Sequence, residues 1–174
     1  MNTRNTLFAA MAIFAIGSSV QASAAETSST FQATASVASS CAIMGAGNLD
    51  FGSYDAVVTN RSEDKLSSSS GVEVRCNGGT VATVQVDQGL NPDASSSCDY
   101  PSRAMISAQG GRLSYSLSST ADYQDTLGCD ATTEKVLSFA NLETQNLGVF
   151  GRIGAGQDAP VGSYTDSVTV KVVF

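Results

Sequence analysis

The sequence predicts an all-β fold, an antiparallel β-sandwich built as a single domain. Short segments in which apolar and polar residues alternate recur along the chain, and Gly, Ser and Asn separate them. No segment after residue 25 keeps a helical period; residues 135–147 come closest, and Ser138 and Asn141 interrupt the pattern. The chain has 174 residues, of which 42% are hydrophobic and 14% charged, which suits one domain with a single core.

Seven or so short strands are expected, because apolar side chains recur at every second position or β-branched residues cluster. The clearest cover residues 31–38, Val72–Cys76, Val81–Val86, 105–107, 113–117 and 168–174. Strands this short, with small polar residues between them, are typical of a sandwich whose neighbours in sequence pair with each other.

Glycine and serine mark the expected connections. The pair Gly110-Gly111 predicts a two-residue hairpin turn. Residues 60–70, which end in four serines, and residues 91–101 are expected to be solvated loops. The glycines of residues 151–156 do not have the spacing of a dinucleotide-binding loop, and no helical pattern follows them. They are therefore expected to form a turn between strands.

Composition excludes several kinds of chemistry. The chain has no His, which removes Ser-His-Asp triads, Cys-His pairs and His-containing zinc sites. Acids are plentiful, but no pair stands out as hydrolase carboxylates and no calcium-loop spacing occurs. A net charge of −7 without a basic cluster argues against nucleic acid and anionic membranes as partners. We predict no enzyme, and no catalytic, cofactor-binding or metal-binding residues.

Residues 1–24 predict a secretory signal peptide. An apolar run at residues 7–16 follows Arg4, and small residues lead to a cleavage site after Ala24 or Ala25. The apolar run covers only about 15 Å of helix, half of a bilayer core, so it is too short for a membrane span. We therefore expect the mature chain to be exported.

Export changes the interpretation of the cysteines. An oxidising compartment favours two disulfides among Cys41, Cys76, Cys98 and Cys129. No Cys-x-x-Cys pair is present to suggest a redox or zinc site. Spacing alone leaves all three connectivities open.

Both ends of the mature chain predict strands with unprotected edges. Phe31, Ala33, Ala35 and Val37 alternate with polar or small residues ahead of the first cysteine. Val168, Val170, Val172 and Phe174 share one face of a strand that runs to the last residue. Because unprotected edges pair readily with other chains, these strands indicate assembly through strand addition.

Six segments carry a resemblance to a known family. They are Phe31-x-Ala33-x-Ala35-x-Val37-x-x-x-Cys41, Leu49-Asp50-Phe51-Gly52-x-Tyr54, Val74-x-Cys76, Leu113-x-Tyr115-x-Leu117, and the pair Val149-Phe150-Gly151-Arg152-Ile153 and Ala159-Pro160-Val161-Gly162-Ser163-Tyr164-Thr165-Asp166-Ser167-Val168. Together they resemble the spore coat protein U domain family, which includes the subunits of archaic, Csu-type, chaperone–usher pili. The resemblance spans residues 31–174 and is strongest at both ends.

The resemblance implies an immunoglobulin-like sandwich that lacks its last strand and is completed by donor-strand complementation. Residues 25–40 would be the donor segment, with Phe31, Ala33, Ala35 and Val37 as the inserting side chains, and residues 41–174 the pilin domain. Val168, Val170, Val172 and Phe174 would face the core beside the groove, where a chaperone aligns its strand. The resemblance also implies the disulfide Cys41–Cys76, and with it Cys98–Cys129; the second pair and the lack of Trp depart from the family pattern.

The predicted function is that of a structural pilus subunit, exported through the periplasm to the cell surface for adhesion or biofilm formation. The implied partners are neighbouring pilin subunits, a periplasmic chaperone and an outer-membrane usher. A shaft or adaptor subunit is favoured over a tip adhesin, because one domain leaves no room for an additional adhesive domain. Two alternatives remain: an envelope or spore-coat protein that does not polymerise, and a monomeric secreted binding module or hydrolase.

Overall fold

A computed structural model of the protein describes residues 24–174. The predicted signal peptide, apart from Ala24, lies outside the described residues. The chain divides into two units, Met1–Ser36 and Val37–Phe174. Among residues 24–174 no helix has the length and apolar character needed to cross a bilayer.

The segment at residues 24–40 contains no helix or strand, and its side chains are exposed. The strand predicted over residues 31–38 is therefore not formed, and Phe31 is 92% exposed. A strand is stable only when its backbone groups pair with a neighbour, so alternation alone does not produce one.

Eleven strands lie within residues 41–174. They are β1 (Cys41–Ala46), β2 (Lys65–Ser68), β3 (Val72–Cys76), β4 (Val81–Val86), β5 (Arg103–Ser107), β6 (Arg112–Ser118), β7 (Lys135–Ser138), β8 (Thr144–Leu147), β9 (Phe150–Ile153), β10 (Tyr164–Thr165) and β11 (Val170–Val173). One turn of 3-10 helix, Thr59–Arg61, precedes β2. The prediction of an all-β fold is confirmed.

The strands form three antiparallel sheets. Their orders are β1-β3-β8, β10-β5-β6-β9-β2 and β11-β4-β7. Consecutive strands β3 and β4 belong to different sheets, so the turn between them joins two sheets. The C-terminal part of the chain also divides between sheets, because β10 pairs with β5 and β11 pairs with β4.

One core lies between these sheets. Alternate residues of β3, β4 and β6 are buried, which is the period of two that the sequence predicted. The core cluster contains Phe51, Val72, Val74, Cys76, Ala82, Val84, Val86, Leu113, Tyr115, Leu117, Leu127, Phe139, Leu147 and Ile153. Since residues of all three sheets meet in one cluster, the sheets form a sandwich.

The hairpin between β5 and β6 occurs where it was predicted but has a longer connection. Four residues, 108–111, join the strands instead of two. Ser107 N donates to Gly111 O at 2.9 Å, and Gly110 N donates to Ser107 O at 2.9 Å. Gly110 has a φ of 81°, a left-handed conformation that glycine adopts without steric cost.

Three stretches in which the sequence predicted no strand contain strands. Residues 60–70 include β2, which pairs with β9 through backbone bonds that do not depend on its serine side chains. The weakly helical residues 135–147 hold β7 and β8. Of the glycine-rich residues 151–156, the first three belong to β9; Gly151 is buried there, and the Leu49 and Phe51 side chains would collide with any Cβ.

Residues Asn60-Arg61-Ser62 match the N-glycosylation sequence Asn-x-Ser, but the Asn60 side chain is held by local hydrogen bonds. Asn60 is buried; its Oδ1 accepts a hydrogen bond from Asp55 N at 2.9 Å, and its Nδ2 donates to Glu63 O at 3.0 Å. The amide therefore stabilises the turn ahead of β2 and is not presented as a glycan acceptor.

Two disulfides are present, Cys41–Cys76 and Cys98–Cys129. The first joins facing residues of β1 and β3, with Cα atoms 4.1 Å apart. The second joins two loops, with Cα atoms 4.6 Å apart. This is the pairing that the family resemblance implied.

We predict that the two disulfides contribute unequally to stability. Their separations, 35 and 31 residues, give almost the same loop-entropy contribution, about 4 kcal/mol each. Cys76 is also part of the buried core, so replacing Cys41 and Cys76 by Ala should lower the free energy of unfolding by about 1–2 kcal/mol more than replacing Cys98 and Cys129. Urea denaturation of the two double variants measures this, and equal losses would contradict it.

Candidate functional site

Among the described residues, β1 and β11 each lie at an edge of a sheet, as do β2, β7, β8 and β10. In the described part of the chain β1 pairs with β3 and β11 pairs with β4. The two strands approach each other, so their open edges border the same region. Half of the backbone N–H and C=O groups of an edge strand point away from its partner, so both edges can accept another strand.

β1 lacks the burial that a sandwich strand normally has. Five of its six residues are exposed, and Ile43 and Met44 are 42% and 50% exposed. Large apolar side chains in a strand are usually covered by a packed layer. The exposure of both residues indicates that a covering element is missing beside β1.

The open edges continue into a groove with an apolar floor. Its wider part, about 630 Å³, lies between residues 49–57 and residues 159–164. Met105, Leu113 and Ile153 line its base.

A narrower part of the groove, about 460 Å³, lies between residues 46–51 and residues 164–170. Val72, Val86, Tyr115 and Leu117 line its base. The two parts share Leu49, Phe51, Met105 and Tyr164, so they form one continuous groove, which we call the open groove. Because its base consists of core side chains, the open groove reaches down to the hydrophobic core.

A carboxylate anchors the C-terminal wall of the open groove. Asp166 Oδ2 accepts a hydrogen bond from the Tyr115 hydroxyl at 2.7 Å. Asp166 Oδ1 accepts from Leu90 N at 3.0 Å and from Asn91 Nδ2 at 3.1 Å. Burial, followed by the bond to Asp166, raises the pKa of Tyr115, so its hydroxyl stays protonated and continues to donate.

A buried arginine ties two sheets together near this carboxylate. Arg103 of β5 is fully buried and donates to the carbonyl oxygens of Val86, Asp87 and Leu127, at 3.2, 2.5 and 2.8 Å from Nη2. Desolvation lowers the pKa of Arg103, and the nearby carboxylates of Asp87 and Asp166 oppose that shift. Val86 belongs to β4 and lines the narrow part of the groove. The Arg103 side chain therefore fixes the spacing between β5 and β4.

The C-terminal side chains singled out by the sequence lie along the open groove. Val168, Val170 and Val172 are half-buried and pack against the core cluster, and Val168 and Val170 line the groove. Phe174 differs from the expectation, because it is 57% exposed and does not pack against the core. β11 ends at Val173, so no strand pairing holds the final residue inward.

The N-terminal side chains singled out by the sequence lie outside the strands. Phe31, Ala33, Ala35 and Val37 are all exposed, and Val37 is 86% exposed. Their assignment as donor residues stays a prediction.

A second, wider cleft of about 1050 Å³ opens over the outer face of β5, β6 and β9. Several of its polar side chains bond to their own surroundings: Gln157 bonds to both backbone groups of Ser114, and Thr133 donates to Cys98 O. Among the described residues no group of three or more acidic or Cys side chains could hold a metal ion. These polar side chains therefore stabilise the loops around the cleft.

Sequence reasoning did not find the base of the open groove, Arg103 or the role of Asp166. One signal was present: Asp166 is a lone carboxylate within an otherwise apolar and hydroxylated C-terminal segment. A charged residue in such a segment is usually paired or hydrogen-bonded, which here it is.

Comparison with known proteins agrees with this architecture. The sequence profile of the Spore Coat Protein U domain matches residues 27–171. The chain is 32% identical to Protein U of Myxococcus xanthus in an alignment of 159 residues that covers 88% of each chain. It also resembles a chain of the CsuC–CsuE chaperone–tip adhesion subunit pre-assembly complex from archaic chaperone–usher Csu pili of Acinetobacter baumannii, with a TM-score of 0.51 and 26% identity. That match covers 79% of this chain and 40% of the solved chain, so this chain spans less than half of that structure's length.

We predict that the two faces of β11 respond differently to a charge. Val170→Asp would place a carboxylate against the core and should lower the free energy of unfolding by about 2–4 kcal/mol. The matched variant Val173→Asp changes a residue that is 43% exposed and should cost less than about 1 kcal/mol. Urea denaturation of both variants tests this, and similar losses would show that the Val170 face is solvated.

Proposed function

The chain belongs to the Spore Coat Protein U domain family, and from this we propose that it is a structural subunit of a chaperone–usher surface fibre, assembled by donor-strand exchange. The observation that carries the proposal is the open groove between β1 and β11. It combines two unpaired strand edges with an apolar base, which is what an incoming strand requires.

The occupant of the groove in the fibre is residues 31–37 of a second copy. An extended strand of seven residues spans about 20 Å. Residues 164–170, which form one wall of the narrow part, are also seven residues long, so the donor strand matches that wall in length. Phe31, Ala33, Ala35 and Val37 would point into the groove, while the intervening residues face solvent. Their exposure in the single chain supports this role.

The donor side chains have a consequence for the strength of each joint. Two of the four are Ala, which fill a groove less than Leu or Ile would. At about 0.8 kcal/mol per buried CH₂, replacing a leucine-sized group by Ala forgoes a few kcal/mol at each site. Phe31 and Val37 therefore supply most of the apolar contact of the joint.

Export and assembly require partners. A periplasmic chaperone would cover the open groove before polymerisation, and an outer-membrane usher would exchange its strand for the donor segment of the next subunit. The similarity to a chain of a chaperone–subunit complex supports the chaperone as a partner. The fibre would lie on the cell surface and serve adhesion or biofilm formation, a structural role without catalysis.

A second candidate is a secreted envelope or spore-coat protein that does not polymerise. The family is named after a spore coat protein, and the match to Protein U extends over 88% of both chains; both observations favour this candidate. The two functions differ in whether residues 31–37 insert into another copy, so polymerisation distinguishes them.

We predict that deleting residues 25–35 blocks polymerisation but not folding with the chaperone. The purified full-length protein, released from its chaperone, should form ladders of multimers that survive mild detergent. The shortened protein should form none, because it keeps its groove but has no strand to donate. Electrophoresis of unheated samples measures the ladders, and fusing the donor segment back should restore them.

Point variants provide the matched control. Phe31→Asp together with Val37→Asp should abolish the ladders, because both changes would bury charges in the groove. Gln32→Asp together with Ser36→Asp adds the same charge on the other face of the segment and should leave the ladders intact. A full-length protein that stays folded and monomeric without chaperone or donor peptide would contradict the pilus function and favour the non-polymerising protein.

A further inference from the structure

Asn77 holds the point at which the predicted donor segment joins the domain. Its side-chain Nδ2 donates to Ala38 O at 3.0 Å, and its Oδ1 accepts from Ser40 N at 2.8 Å. Its backbone N donates to Ser40 O at 3.1 Å. Three hydrogen bonds thus join residues 38–40 to Asn77.

These bonds continue the pairing of β1 with β3 beyond the last strand residues. The ladder ends at the pair Cys41 and Cys76, after which the chain of β3 turns away. The amide of Asn77 has the same donor and acceptor groups as a peptide unit, so it takes the place of the next backbone partner. Residues 38–40 are thereby held in line with β1.

The turn that carries Asn77 is itself fixed. Thr80 is buried and its hydroxyl donates to Asn77 Oδ1 at 2.8 Å, which determines the orientation of the amide. Gly79 N donates to Phe139 O at 2.7 Å, and Phe139 N donates to Thr80 O at 2.9 Å. Phe139 belongs to the core, so Asn77 stands on a rigid support.

We propose that Asn77 is a positioning residue, which fixes the direction in which the donor segment leaves its own domain and so sets the angle and stiffness of the joint between successive subunits. The proposal rests on the proposed function, in which Val37 is the last residue inserted into the neighbouring subunit. Ala38 follows Val37 directly and is bonded to Asn77, so almost no free chain separates two domains. Without the Asn77 bonds, residues 38–40 would form a loose linker that can reach about 10 Å.

The test compares Asn77→Asp with Asn141→Asp. An aspartate at position 77 keeps the acceptor for Ser40 N and Thr80 Oγ1 but replaces the Nδ2 donor with an oxygen that repels Ala38 O. Asn141 accepts a hydrogen bond from Glu143 N at 3.0 Å in the turn between β7 and β8, and an aspartate keeps that acceptor. Both variants therefore add the same charge in a turn, and only the first disturbs residues 38–40.

Electron microscopy of the polymers supplies the readout. The Asn77→Asp polymers should form in wild-type yield, with a persistence length at least twofold shorter and a wider spread of angles between subunits. The Asn141→Asp polymers should match the wild type. If Asn77 only stabilised its own domain, the Asn77→Asp change would lower the thermal stability of the subunit without altering the polymers. An unchanged persistence length in Asn77→Asp polymers would therefore overturn the inference, whatever the thermal stability.

A measurement on the subunit covers the case in which the fibre readout fails. Asn77→Ala removes the acceptor of Ser40 N, so the hydrogen-exchange rate of that amide should rise at least tenfold in the chaperone-bound subunit. An unchanged rate would show that Asn77 does not hold residues 38–40 and would overturn the inference. If the wild-type protein formed no polymers, that result would instead refute the proposed function. The inference about the joint between subunits would then fail as well.

Discussion

The open edges of β1 and β11 are the constraint on which the rest of the molecule depends. Both strands have backbone groups without partners beside a groove whose base is core side chains. Exposed apolar surface and unpaired strand edges are costly to leave in water and promote uncontrolled association. The shape of the groove therefore has to be maintained by bonds between the elements that surround it.

Three features fasten the walls of the groove to the rest of the fold. The disulfide Cys41–Cys76 holds β1 to β3 at one wall. Asp166 holds the opposite wall through Tyr115 and the loop at residues 90–91. Arg103 sets the separation of the two layers beneath the groove through the carbonyls that it binds. These are directional polar contacts, which specify geometry where apolar packing is incomplete.

The sequence predicted those elements whose side chains record their surroundings. β3, β4 and β6 were found because alternate residues enter the core, and alternation survives in the sequence as a period of two. β2 was missed because an edge strand of serines buries little, and β7 and β8 were missed because each is too short to establish a period. The alternation of residues 31–38 predicted a strand that the single chain does not form, which agrees with a segment whose partner lies in another copy.

Less of the site than of the fold could be predicted. The resemblance implied the C-terminal wall, through Val168 and Val170, and the disulfide pairing that the structure contains. The groove itself exists only when residues 46–57 and 159–170 are brought together by the fold. Arg103 and Asn77 act through bonds to backbone atoms of distant residues, and backbone partners leave no mark in a sequence.

Binding of a donor peptide to the groove tests the central claim most directly. A full-length Phe31→Asp protein has an intact groove but should be unable to donate, and a synthetic peptide of residues 29–40 supplies the wild-type strand. Hydrogen exchange of the complex should show binding at one peptide per chain, with slower exchange of backbone amides along β1 and residues 166–173. Failure of the peptide to bind, or binding that leaves those amides unprotected, would contradict the account.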